Sequence, residues 1–346
     1  MIKIIKTKLE KDYELIKSVL ILAWPIILAN LMQSAYYMID AYWLWHVWKE
    51  AVATITTSSP LIMLLSALGI WLSIWCSTLV AQYFGAKKFH KIGHIAWQTM
   101  ILSVVAAFLI NIVWFILAPK ILTLMNVDQV IYNDALMFIR ISCIGLFFSF
   151  INFNFQWIMR AIGKPQIPMY IQWAWVILNF VLAPFMIFGL LWIGWLWSTW
   201  AAIVTVCCQF FAFCLSMYLL IKWIDVVKVS FSDFKPDWKV IKKTILIWVP
   251  SGIEQSARNL AMLLLLSIIN TFGLVAAASY WASFNVTQIV LFTAMWFGIA
   301  SWIVVGQNIW AGHMKLAKEI AKKCAIFSWV FFLWFDIFKM YFRLEF

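Results

Sequence analysis

Apolar runs long enough to cross a bilayer, about 20 residues each, recur along the whole of this chain. About nine are legible, near residues 18–44, 52–84, 95–117, 131–159, 168–190, 195–221, 244–270, 275–306 and 324–341. In lipid every backbone N–H and carbonyl must be satisfied within the segment, so runs of this kind form helices. The chain therefore reads as an all-α polytopic membrane protein. Its charged residues, 12% of the total, fall well short of the roughly 25% of a soluble domain. Several runs exceed what a bilayer needs, which predicts tilt or ends that project into water. Pro25, Pro60 and Pro250 lie inside runs, where each frees a carbonyl for another partner.

The net charge of +12 raises nucleic acid as a partner, and the placement of the charge excludes it. Lys3, Lys6, Lys8, Lys11 and Lys17 precede the first run; Lys87, Lys88 and Lys91 follow the second; Arg160 and Lys164 follow the fourth. Lys235, Lys239, Lys242 and Lys243 follow the sixth, and Lys315, Lys318, Lys322 and Lys323 follow the eighth. The alternate loops carry little: His46 and Lys49 in one, Lys120 in another. Positive charge in every second loop marks the cytoplasmic side, so the expected location is the inner (cytoplasmic) membrane, with a cytoplasmic N-terminus. Residues 1–17 are basic, run straight into the first span and meet no small-residue cleavage site, which reads as an uncleaved first helix.

Other chemistries find no footing. All six cysteines fall in or beside apolar runs without a C-x-x-C pair, as small buried hydrophobes do. His46, His90, His94 and His313 lie in loops or at span ends, and no third ligand stands near the His90/His94 pair, so no metal site is expected. The stretch AIGKPQ lacks the upstream glycine and the Ser/Thr of a phosphate-binding loop. No enzyme and no catalytic residue is expected.

A repeat organises the chain. LILAWPIILANLMQS matches TILIWVPSGIEQSAR with Pro25 on Pro250, and the same offset of 225 residues sets Gln82 on Gln307 and Ala51, Ala53 and Ala86 on Ala276, Ala278 and Ala311. An even number of spans separates the two equivalent first helices, so both halves enter the membrane in the same direction. Parallel repeats of this type build transporters whose two bundles rock around a central site. The expected organisation is a cytoplasmic segment 1–17, an N-lobe 18–222 of six spans, a cytoplasmic linker 223–243 and a partial C-lobe 244–346 of about three spans.

The repeat also exposes an anomaly. Trp48 aligns with Gly273 and Trp310 with Gly85. The chain has 24 tryptophans and 12 glycines, about half the usual glycine share of about 7%, although membrane helices favour glycine. We read many of these tryptophans as glycines mis-assigned on translation, because UGA means Trp in some genetic codes and Gly in others. The alternative is a protein rich in interfacial aromatic belts, but Trp71, Trp75, Trp173 and Trp175 lie well inside spans.

Five stretches together carry a family resemblance: LAWPIILANLMQSAYYMIDAYWLW, ALGIWLSIWCSTLVAQYFGAKK, RAIGKPQIPMYI, ILNFVLAPFMIFG and VVGQNIWAG. They resemble the MATE (multidrug and toxic compound extrusion) transporters, in which the positions of Trp45, Trp48, Trp71, Trp75, Trp197, Trp200 and Trp310 are typically glycine and that of Trp43 an aromatic. The resemblance implies a two-lobe bundle of twelve helices, about nine of them expected here, around a V-shaped cavity. It implies efflux of cationic amphiphiles driven by H⁺ or Na⁺ influx, with no other cofactor. Expected partners are small organic cations and the lipid bilayer, with the protein a monomer.

Few polar residues fall where transport would need them. Gln33, Tyr36, Tyr37 and Asp40 share one helix face, offering an amide, two phenols and a carboxylate to a cavity, where aromatic faces favour a cation. Asp40 is the leading coupling group, matching an acidic position of the family; its alternative is a cap for the following turn. Asn179 matches a family polar position, but Ala183 stands where the family often has Asp, which leaves Asp40, Asn179 and Thr205 as ion or proton ligands and makes protonation of Asp40 easier to picture than Na⁺ coordination. Asn152, Asn154, Glu254 and Gln255 are further cavity candidates. Helix–helix hydrogen bonding is the alternative for the two asparagines, and a salt bridge with Arg258 for Glu254. Two other functions remain open: a lipid-linked precursor flippase of the same superfamily, disfavoured because the basic clusters lie in loops, and a truncated product without transport.

Overall fold

The computed structural model describes residues 17, 19–33, 36, 49–125, 127–187, 197–222 and 298–341, with isolated positions between 237 and 265. Eight helices lie in these segments: α1 Val19–Gln33, α2 Lys49–Gly85, α3 Phe89–Leu124, α4 Gln129–Ala161, α5 Gln166–Ile187, α6 Trp197–Lys222, α7 over 298–310 and α8 Met314–Tyr341. Stretches of α2 to α6 are long and apolar enough to span a membrane: Leu64–Gly85, Lys91–Leu124, Gln129–Ala161, Gln166–Pro184 and Thr199–Ile221. The chain is a polytopic helical membrane protein.

Local chemistry sets the helix ends. The Asp128 side chain accepts the Val130 N–H at 2.9 Å and starts α4, which satisfies one donor that the first turn leaves without a partner. At its other end α4 closes through Gly163 at φ +77, with the Gly163 N–H on the Arg160 carbonyl and the Lys164 N–H on that of Met159. Glycine takes this left-handed turn without steric cost, and Pro165 follows.

The chain divides into two compact units. One comprises Leu28–Val80 and Lys88–Ile245. Within it α4 packs on α3, α5 and α6, and α5 on α6. A core of Leu65 from α2, Ala118 and Leu122 from α3, and Ala135, Ile139 and Leu146 from α4 is almost wholly withdrawn from the surface. Glycines bring the helices close: a methyl at Gly69 would sit 2.7 Å from the Phe150 ring, and one at Gly145 2.9 Å from Val206. Without a water-driven hydrophobic effect between helices in lipid, small residues of this kind are what permit tight packing. The outer face of α3 exposes Val105, Phe108, Leu109, Ile112 and Ile116, an apolar surface suited to acyl chains.

The other unit comprises Met1–Ile27, Ala81–Lys87 and Leu246–Phe346. Its core joins Val19, Ala23 and Ile26 of α1 to Ala300 and Val304 of α7 and Ile320 and Cys324 of α8. The sequence repeat is visible in its backbone. Helix α8 starts at Met314, one offset of 225 residues after the start of α3 at Phe89, and α7 ends at Trp310 as α2 ends at Gly85.

Candidate functional site

Polar residues inside α1, α5 and α6 meet one another rather than lipid. The Gln172 amide of α5 donates to Gln33 Oε1 at 2.5 Å. Tyr36, one turn beyond Gln33, is buried; its hydroxyl stands 3.3 Å from Thr205 Oγ1 on α6. The Thr205 hydroxyl spends its own proton on the Ala201 carbonyl at 3.0 Å, so the Tyr36 phenol is the donor between them. The Tyr36 ring also packs on Trp175, with centroids 4.8 Å apart. Gln33 and Tyr36 thus fasten the C-terminal part of α1 to both α5 and α6.

Gln172, Trp175 and Asn179 fall three and four residues apart and share a face of α5. Asn179 is 1% exposed, and its Oδ1 has no hydrogen-bond partner among the described residues. Thr199, in the first turn of α6, is likewise buried, and its hydroxyl oxygen has no partner among the described residues. A buried polar atom left in this state costs about 1–3 kcal/mol, so each marks a place where a ligand, ion or water would be stabilised.

The two asparagines of α4 point elsewhere. Asn152 accepts from the Ser216 hydroxyl at 2.8 Å and joins α4 to α6. Asn154 is fully buried; its amide donates to the Thr99 carbonyl at 2.9 Å and to Ser103 Oγ at 2.6 Å, and its oxygen faces the Cys76 thiol at 3.2 Å. Both side chains tie helices together. Asp40, Tyr37, Glu254 and Gln255 lie outside the described residues. Sequence reasoning passed over Gln172, and met Trp175 only as one of the tryptophans inside spans that argue for mis-assigned glycine. The signal for Gln172 was present: an amide in an apolar run, two turns before Asn179 on the same face.

The tryptophans sit awkwardly. The indole N–H groups of Trp173, Trp175 and Trp200 are buried without a partner among the described residues, although a buried tryptophan usually finds an acceptor. Trp310 is 51% exposed.

Apolar spans with amides, phenols and hydroxyls gathered between α1, α5 and α6 define a multi-pass membrane protein with a polar interior, the class to which transporters belong. The comparisons narrow this further. The family model MatE matches residues 25–185, so this part of the chain is similar to the MATE family. The probable multidrug resistance proteins YoeA and YpnP of Bacillus subtilis are each 24% identical to it over 303 residues, which cover 86% and 87% of this chain and 65% and 66% of theirs. The chain thus spans about two thirds of the length of these relatives. A MOP superfamily transporter from Pyrococcus furiosus superposes with a TM-score of 0.85 at 22% identity, over 94% of this chain and 72% of that one, a likeness of fold.

Proposed function

We propose that the protein is a secondary active antiporter of the cytoplasmic membrane that exports cationic amphiphilic drugs or toxins in exchange for H⁺ or Na⁺. The MatE match over residues 25–185 carries this reading, and two relatives are named as probable multidrug resistance proteins. The parallel repeat supports a two-lobe arrangement, with lobes at 18–222 and from 244 onward. The Asn179 oxygen, without a partner among the described residues and on the helix that also holds α1 through Gln172, supports an ion or proton site on this side of the N-lobe. Asp40 supplies the negative charge and Thr205 a further oxygen. The phenols of Tyr36 and Tyr37 supply the faces on which an organic cation rests.

The test uses inside-out vesicles from a host stripped of its own drug pumps, with ethidium as the probe. Accumulation of ethidium that follows an imposed proton or sodium gradient, and that Asp40→Asn abolishes, is the expected result. Applying the two gradients separately identifies the coupling ion. Uptake that ignores both gradients, or that survives Asp40→Asn unchanged, overturns the proposal.

A further inference from the structure

We propose that Arg140 of α4 and Phe115 of α3, with Lys120 above them, bind the phosphate of an anionic phospholipid in the leaflet opposite the lysine-rich helix ends. By the charge pattern of the loops this is the outer leaflet. The site stands apart from the polar residues of α1, α5 and α6 and does not depend on the antiporter reading.

The first observation is a cation without an anion. Arg140 lies inside the apolar span Gln129–Ala161, where an ionised side chain is costly and takes a partner. Among the described residues it has neither an ion pair nor a hydrogen bond, and its Nε is buried in that state. Asp128 spends its carboxylate on the Val130 N–H. Asp134 is six residues before Arg140, which turns it to another face of α4. What Arg140 does meet is aromatic: its guanidinium carbon stands 4.7 Å from the centroid of the Phe115 ring. A ring face attracts the cation but leaves its N–H donors unsatisfied, and their planar fork matches a phosphate.

The second is where this pair opens. Phe115 is exposed, as are Ile112 and Ile116 beside it on α3. Met137 and Ile144, three residues before and four after Arg140, share its face of α4 and are exposed too. The guanidinium thus lies at a seam between two outward apolar faces. A soluble phosphate brings nothing to cover them, whereas a lipid brings acyl chains.

The third is depth. Helix α3 has 36 residues, so it is about 54 Å long, about 24 Å more than the hydrocarbon core of a bilayer. Shared between the two ends, that surplus sets the core boundary about 12 Å from Leu124. Phe115, nine residues before Leu124, lies about 14 Å from it, at this boundary. Lys120 is exposed and lies five residues further out, at the level of the headgroups. From Ile116 inward to Val105 the apolar face of α3 runs for about 16 Å, the depth of one leaflet. A phospholipid fits end to end, with its chains along this face and its phosphate between Arg140 and Lys120. Two cations with no carboxylate paired to them among the described residues favour a lipid of net negative charge over a zwitterion, whose ammonium they repel.

The test uses the full chain in detergent micelles with phosphatidylglycerol that carries a diazirine in its headgroup, and locates the photo-adducts by peptide mass spectrometry. Adducts are expected within 112–120 and 137–144. Arg140→Gln should lower their yield about tenfold, the worth of a charged hydrogen bond, and Lys120→Gln about fivefold. Arg140→Lys should fall between the wild type and Arg140→Gln, because an ammonium keeps the charge and loses the fork. Lys318→Gln, on the lysine-rich side, should change nothing at these peptides. In the wild type, unlabelled phosphatidylglycerol should displace the probe at a concentration several-fold below that of phosphatidylcholine. Equal yield in the wild type and Arg140→Gln overturns the proposal. Equal displacement by the two lipids overturns it without any variant, and so does displacement by glycerol phosphate as effective as that by the lipid. No transport is measured, so a failed ethidium assay rejects the antiporter reading and leaves this site in place.

Discussion

The junctions 82–89 and 307–314 occupy equivalent places in the repeat and have nearly the same backbone. In the first, the Ala86 N–H reaches the Gln82 carbonyl at 3.0 Å and the Lys87 N–H that of Phe84 at 3.0 Å. In the second, Ala311 reaches Gln307 at 3.0 Å and Gly312 reaches Ile309 at 3.1 Å, with His313 adding a bond to Asn308. The same position turns left-handed in both, at φ 56 in Lys87 and φ 84 in Gly312. The glycine, however, has changed place. The first junction carries it at position 85, against the Gln307 backbone, and assigns the left-handed turn to lysine. The second carries it in the turn and has tryptophan at 310, the mate of Gly85. A left-handed lysine costs about 1–2 kcal/mol, which a fold can absorb. A side chain at position 85 meets main-chain atoms and has nowhere to go. The two positions are equivalent in sequence and unequal in demand.

Breaking the contact should have the largest effect. Gly85→Ala is expected to destabilise the protein by about 3 kcal/mol, the upper part of the overpacking range, read as a fall in the midpoint of thermal unfolding in detergent. Gly312→Ala should cost about 1 kcal/mol by the same measurement, because alanine must then occupy a left-handed conformation. Lys87→Gly sharpens the comparison from the other side, relieving that strain at some cost in chain entropy, for a net gain of about 0.5 kcal/mol. The smallest change is expected for Trp310→Gly, within about 0.5 kcal/mol of the wild type, since the ring is half exposed and lies in the last helical turn. A loss above about 2 kcal/mol, typical of removing a buried aromatic, would show that Trp310 is a genuine packing residue rather than a mis-assigned glycine.

The helices were legible from hydropathy, though their ends were not. The run expected over 131–159 is the helix Gln129–Ala161, and that over 195–221 is Trp197–Lys222. By contrast, α8 begins at Met314, ten residues before the apolar run at 324–341. Hydropathy marks the stretch that lipid must surround, whereas MKLAKEIAKK continues the helix into water with good helix formers. In the candidate site, the shared face of Gln33 and Tyr36 followed from helical spacing alone. Their partners Gln172 and Thr205 did not, because spacing along one helix says nothing about which helix lies opposite. The same holds for Asn154, whose bonds to Thr99 and Ser103 depend on how α3 and α4 pack.

By itself the sequence determined that this chain crosses a membrane as helices, since a bilayer offers an apolar segment no other way to satisfy its backbone. It also showed, through one constant offset, that the stretch from 244 onward repeats the plan of the chain's start. Tertiary structure alone decided which repeated positions carry weight. Gly85 and Trp310 are interchangeable in an alignment, yet only Gly85 rests on the backbone of the other repeat. Tertiary structure also chose the partners of the buried amides and hydroxyls, because a polar group withdrawn from water takes whichever neighbour the packing brings within hydrogen-bond distance.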